Sequence, residues 1–156
     1  MKYILPTITL AFVLIGSTTT SYAQTTKTPV VTTPPALFDT QANAPLSTRK
    51  QYVETNLRDL LTRLSDVHAR VQIATTRLGT NGIDTTTATI ALTVAQTALT
   101  SANSHLALFT ATPVDDRAST VTTLRTQAKA AEDSLKSART NIIESIASLK
   151  LTLQTQ

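Results

Sequence analysis

From Val53 onward, apolar residues recur at Val53, Leu57, Leu60, Leu64, Val67, Val71, Ala74 and Leu78. The steps alternate between four and three, the a/d spacing of a helix that packs along another helix. Thr48 and Gln51, just ahead of this run, fit a capping box. A second run follows the same rule through Ala88, Leu92, Ala95, Leu99, Ala102, Leu106 and Phe109. Alanine and leucine take turns along it, so a partner helix can approach closely at each alanine. The third run is Val121, Leu124, Ala128, Ala131, Leu135, Ala138 and Ile142, continuing to Ile146, Leu149 and Leu153. Its two consecutive steps of four, from Ala138 to Ile142 to Ile146, read as a stutter that locally unwinds a supercoil. The pattern predicts an all-α fold, a three-helix antiparallel bundle or coiled coil, with helices at about 48–78, 85–110 and 113–153.

The corners are read from capping signals. In "RLGTNGIDTTTATIAL", residues 77–92, Gly79 follows the last heptad leucine and reads as the helix stop. Asp84 reads as the next N-cap, accepting the amide of Thr86 or Thr87, with Ile83 stapling onto Ala88. Asn81-Gly82 makes a hairpin turn only between strands, and both flanks here have helical period. At the second corner, Thr112 reads as the cap and Pro113 as the first helical residue. Asp115 and Asp116 then lie near the positive end of the helix dipole. Threonine, about a fifth of the chain, opposes all of this, because it is β-branched and costs helix propensity. Most threonines of the second run lie off the Ala/Leu seam, so packing is expected to prevail.

The N-terminal third has a different composition. "MKYILPTITLAFVLIGSTTTSYA" has a basic residue, an apolar run of about 13 residues and small residues at Ser21 and Ala23. That is the form of a signal peptide cleaved after Ala23, with a run shorter than the roughly 20 residues that span a bilayer. Residues 24–46 hold Pro29, Pro34, Pro35 and Pro45 among many threonines and read as an extended linker. Residues 85–114 carry no charge, yet Gln96, Asn103, His105 and many hydroxyls make them poor for membrane insertion.

Composition narrows the chemistry. With no cysteine, disulfides, thiolate metal sites and cysteine nucleophiles are excluded. His68 and His105 are the only histidines. Folding back at the first corner puts His68 opposite residue 94 and His105 opposite residue 57, too far apart to share a metal. No strand-to-helix nucleophile elbow, calcium loop or phosphate-binding glycine loop is present. The sequence therefore implies no catalytic residue, no metal and no cofactor.

The stretch "RLGTNGIDTTTATIALTVAQTAL" resembles a pattern in small exported helical proteins of candidate-phyla (Patescibacteria-type) bacteria, at Arg77, Leu78, Gly82, Asp84, Ala88, Leu92 and Ala95. The resemblance covers roughly residues 50–150 and implies a helical fold and export, with no activity to carry over. This chain has threonine where that group usually carries Lys, Glu and Ala.

Two surfaces remain as candidates for function. Arg63, Arg70 and Arg77 repeat every seven residues and form a basic stripe suited to anionic lipid, wall polymer or an acidic partner. The bland reading is a solvated face with local pairs such as Asp66–Arg70. No aromatics interleave to stack bases, so nucleic acid is disfavoured as a partner. At the other end, folding back at the second corner pairs Thr85 with Arg139, leaving "NIIESIASLKLTLQ" as an overhang. Ile142, Ile143, Ile146, Leu149 and Leu153 then form an apolar interface for self-association or for docking on an envelope protein. The expectation is an exported, non-enzymatic envelope or secreted interaction protein. A periplasmic chaperone-like or stress-responsive binder is the first alternative, and a structural surface subunit the next.

Overall fold

The computed structural model describes residues 37–40, 43–115 and 117–155. Among them the chain forms three packed helices and no strand: α1 (Leu46–Thr80), α2 (Thr86–Ala111) and α3 (Ala118–Gln154). The signal peptide expected at 1–23, most of the expected linker and Asp116 lie outside the described residues.

Cross-helix contacts fix the directions. Lys50, near the start of α1, donates through Nζ to the carbonyls of Thr110 (2.8 Å) and Thr112 (2.6 Å) at the end of α2. His68, further along α1, has its Nε2 3.0 Å from the carbonyl of Leu92, nearer the start of α2. The two helices therefore run antiparallel, and the register expected for His68 holds to within two residues. Lys50 also places a positive charge where the α2 dipole is negative. Val94 and Thr97 of α2 share a groove with Ser134 and Ser137 of α3, while Thr112 at the end of α2 meets Gln127, nearer the start of α3, so this pair is antiparallel too.

The second heptad run is the buried seam of α2 as read: Ala88, Leu92, Ala95, Leu99, Ala102, Leu106 and Phe109 are all buried. In α3 the seam is Leu124, Ala128, Ala131, Leu135, Ala138, Ile142, Ser145 and Leu149. This corrects the third run. The step after Ile142 is three, to Ser145, so the heptad continues without a stutter and Ile146 is only half-buried. A serine on the seam is invisible to a pattern of apolar residues.

In α1 the seam departs from the expected heptad. Val53 and Leu57 are buried, but Leu60 and Val67 are 42% and 38% exposed. The inward positions become Leu61, Leu64, His68, Val71, Thr75 and Leu78, with His68 and Thr75 the fully buried pair. The step of four from Leu57 to Leu61 follows the one from Val53, so the stutter belongs to α1. A straight α-helix drifts about 20° per heptad relative to a 3.5-residue repeat, and such a step returns its face to the partner. Burying His68 and Thr75 is tolerable because each is hydrogen-bonded: His68 to Leu92, and the Thr75 hydroxyl to the carbonyl of Val71 at 2.8 Å.

The first corner is a Schellman motif. Ile83 N–H donates to the Leu78 carbonyl (3.1 Å) and Gly82 N–H to the Gly79 carbonyl (3.0 Å). Gly82 has φ +82°, so it is the left-handed residue that ends α1, and Gly79 lies inside the helix. Ile83, half-buried, stands at the position that usually touches Leu78 in this motif. Asp84 Oδ1 accepts the Thr86 amide at 2.9 Å, which holds its carboxyl below the usual carboxylate range. Gly82→Ala is expected to destabilise by about 1–2 kcal/mol, because a Cβ there meets no atom and the cost is conformational alone. Gly79→Ala should be near neutral, since helix propensity favours it while Thr85 Oγ1 stands 3.2 Å from the new Cβ. Urea titration of both variants checks the assignment.

Two other end signals are used differently from the expectation. Pro45 precedes the first residue of α1, no side chain caps that end, and Thr48 is an exposed residue within the first turn. Pro113 does not open α3, which begins at Ala118; Asp115 Oδ1 accepts the Arg117 amide at 3.0 Å instead. Thr112 closes α2, donating to the Leu108 carbonyl at 2.9 Å and lying 3.0 Å from Gln127 Oε1.

Threonine fits the helices by a local device. The hydroxyls of Thr89, Thr93 and Thr97 each donate to the carbonyl four residues earlier at 2.9–3.1 Å, and the same bond recurs along α1 and α3.

The core is graded from end to end. Its largest fully buried side chains are Phe38, Phe109, Leu57, Leu124 and Val53, all at the base where α1 and α3 begin. The buried polar residues His68, Thr75 and Ser145 lie toward the opposite, corner end. Ser145 Oγ is buried with no hydrogen-bond partner. Ser145→Ala is therefore expected to raise stability by about 1–2 kcal/mol, by removing an unsatisfied hydroxyl. Ser137→Ala, at an exposed site on the same helix, should change it by less than about 0.5 kcal/mol.

The base is closed by residues that the sequence assigns to the linker. Leu37–Thr40 form a turn, and Phe38 is fully buried. Its ring meets Phe109 edge-on, with centroids 6.4 Å apart and planes at 86°. A lone aromatic amid Thr and Pro carries no periodicity, so the linker composition hides it.

Candidate interaction surfaces

The expected C-terminal interface divides. Ile142 and Leu149 lie on the buried seam of α3 and are unavailable to a partner. Ile146 is half-buried. Ile143 is 53% exposed and Leu153 47% exposed, and Leu151, outside the expected set, is 64% exposed. The reason is register. The groove shared by Val94 and Thr97 with Ser134 and Ser137 carries the start of α2 about two turns further along α3 than Arg139. The overhang is correspondingly shorter than the sequence suggests.

The basic stripe is on the surface, with Arg63, Arg70 and Arg77 all exposed. Arg63 is bound to Asp59 at 2.9 Å across one helical turn. The expected Asp66–Arg70 pair is absent among the described residues; Arg70 and Arg77 form no salt bridge there. Exposed pairs of the Arg63–Asp59 kind contribute roughly 0.3–0.5 kcal/mol each.

Two shallow grooves cross the bundle. One, of about 400 Å³, lies between α1 and α2 and is lined by His68, Gln72, Thr76, Thr93 and Gln96 among others. Its lining holds no Asp, Glu, Lys or Arg, and His68 at its floor is 6% exposed. If neutral, His68 must carry its proton on Nε2 to donate to Leu92, leaving Nδ1 as an acceptor. The other groove, between α2 and α3, has Asp133 at its edge. Lys129 beside it, at 2.9 Å, holds the Asp133 carboxyl below its usual range, while Asp133 raises Lys129 in turn.

Among the described residues, no group of three or more His, Asp or Glu side chains is placed to hold a metal ion. No described helix is long and apolar enough to cross a membrane. No known family, curated protein or solved structure matches the chain. Of its exposed aliphatics, Ile73, Ile90, Val94, Ile143, Leu151 and Leu153 lie toward the corner end, Leu60 and Val67 along α1, and Leu108 and Val114 near the base. Sequence reasoning missed Ile73 and Ile90 because each falls off the heptad run of its helix.

Proposed function

We propose that this chain is an exported, non-enzymatic interaction protein of the cell envelope or of the secreted pool, making its contacts with the corner end of a helical bundle. The observation that carries the reading is that all three helices leave aliphatic side chains in solvent toward that end. Exposed aliphatic groups suit a protein partner. Export rests on the sequence of residues 1–23, and the resemblance to exported helical proteins of candidate-phyla bacteria points the same way. The partner is a second copy or an envelope protein, and Arg70 and Arg77 add a weak attraction to anionic lipid or wall polymer.

The test is to replace Ile143, Leu151 and Leu153 together by Glu, which leaves the α3 seam intact. Light scattering gives the mass of each chain in solution, and cross-linking in the native envelope gives its neighbours. Oligomers or a captured envelope protein with the native chain, both lost in the variant, support the reading. A monomer at all concentrations with no cross-linked neighbour removes it. A chaperone-like binder is the second reading, favoured because these aliphatics spread over three helices rather than along one stripe. It requires that the native chain suppress aggregation of an unfolded client and that the triple variant not do so.

A further inference from the structure

The base of the bundle is the opposite end from the surface just discussed, and its argument is independent. Three helices build a cup there. α1 supplies Arg49, α2 supplies Phe109, and α3 supplies Arg125 and Glu132. The three-residue segment Leu37–Asp39 lies in it as a ligand would. Phe38 fills the floor against Phe109, and the Arg49 guanidinium carbon stands 4.4 Å from the centre of its ring. Arg49 Nη2 donates to the Phe38 carbonyl at 3.1 Å. The Leu37 amide donates to Glu132 Oε1 at 2.7 Å. Arg125 donates to Asp39 Oδ1 at 3.1 Å through Nε, with Nη2 at 3.0 Å. Thr40 closes the turn through its hydroxyl to the Leu37 carbonyl at 2.7 Å. Backbone donor, backbone acceptor, aromatic ring and carboxylate are thus each met by a separate group on a rigid helix.

The fit is incomplete at one point. Arg49 Nε is buried and has no acceptor. The nearest carboxylate, Asp39, is 4.0 Å from Arg49 Nη2, beyond hydrogen-bond reach, because Arg125 holds it. A guanidinium presents a planar fork that a carboxylate satisfies with two parallel bonds. The resident segment does not supply that pair at Arg49. A carboxylate one methylene longer has the reach to approach it.

We propose that this cup is a recognition site for a short aromatic–acidic peptide segment of a partner protein, and that Leu37–Asp39 occupy it in cis until such a segment displaces them. The resident segment has one fully buried side chain, Phe38, and exchange breaks its bonds to Glu132, Arg49 and Arg125, which an incoming segment of the same chemistry remakes. A segment attached by a short link has an effective concentration in the millimolar range, which sets the competition a partner must overcome.

The test uses the full chain and a fluorescein-labelled peptide, Pro-Ala-Leu-Phe-Asp-Thr-Gln, followed by anisotropy. A Phe38→Ala chain, its cup vacated, should bind the peptide saturably, and the native chain at least tenfold more weakly. The peptide carrying Glu in place of Asp should bind the Phe38→Ala chain at least threefold more tightly. Adding Arg49→Lys should erase that advantage, and a peptide with Ala in place of Phe should not bind. Circular dichroism checks that each chain remains helical; if Phe38→Ala unfolds, Asp39→Ala removes the Arg125 pair that holds the segment against exchange and should bind the peptide saturably and more tightly than the native chain does. Absence of saturable binding to a helical Phe38→Ala or Asp39→Ala chain overturns the proposal. So does equal binding of the Asp and Glu peptides. Labelled native chain binding the Phe38→Ala chain as tightly as the best peptide overturns the partner form and makes the occupant a second copy.

Discussion

Phe38→Ala lowers the free energy of unfolding by about 3–5 kcal/mol, the range for truncating a buried aromatic to Ala. The effect is large because Phe38 is fully buried, packs edge-on against Phe109 and carries the Arg49 guanidinium over its face. Its loss leaves a cavity at the end of the core where the largest side chains are gathered. It also leaves Arg49, already short of one acceptor, without its aromatic neighbour. Urea titration by circular dichroism reads the change as a lower midpoint at unchanged slope if the three helices still unfold together. Leu37→Ala, one residue earlier and only half-buried, should cost markedly less. Equal midpoints for native and Phe38→Ala chains would mean that residues 37–40 do not belong to the bundle.

The second large effect separates two readings of α1. Leu57→Ala is expected to cost about 2–5 kcal/mol and Leu60→Ala less than about 1 kcal/mol. Both lie on the expected heptad, but Leu57 is fully buried whereas Leu60 is 42% exposed. Leu61→Ala, at a half-buried site packed on the core cluster, should fall between them. A strict heptad requires the opposite order for Leu60 and Leu61. Thermal melts of the three variants decide between a helix whose face steps forward after Leu57 and one that keeps a 3.5-residue repeat.

These variants also mark where the sequence was legible. The α2 seam could be read residue by residue, because every inward position is Ala, Leu or Phe and the large apolar residues off it, Ile90, Val94 and Leu108, do not continue its spacing. α3 was legible as far as Ile142 and then misled, because its next inward residue is Ser145. α1 misled in the same way at His68 and Thr75. In each case an apolar residue one position away, Ile146, Val67 or Ala74, offered a more hydrophobic substitute. A seam that admits polar residues is set by contact geometry across helices, which no single helix encodes. The corner showed a related ambiguity. Gly79 and Gly82 both suit a helix end, and only the positive φ of Gly82 selects between them. Of the candidate surfaces, the basic stripe was visible because exposure needs only a polar face. The C-terminal interface was half visible, because its outline depended on how far α2 reaches along α3.

The central helix has no Asp, Glu, Lys or Arg from Thr85 to Val114. Acid, alkali or brine therefore has almost nothing to act on in the middle rod. His105 is the sole titrating side chain between Asp84 and Asp115. Whatever such conditions do to the molecule enters through the two outer helices and the corners. The same rod offers no peptide bond to a protease that cuts after basic residues, so a digested chain should yield it as one long fragment bounded by Arg77 and Arg117.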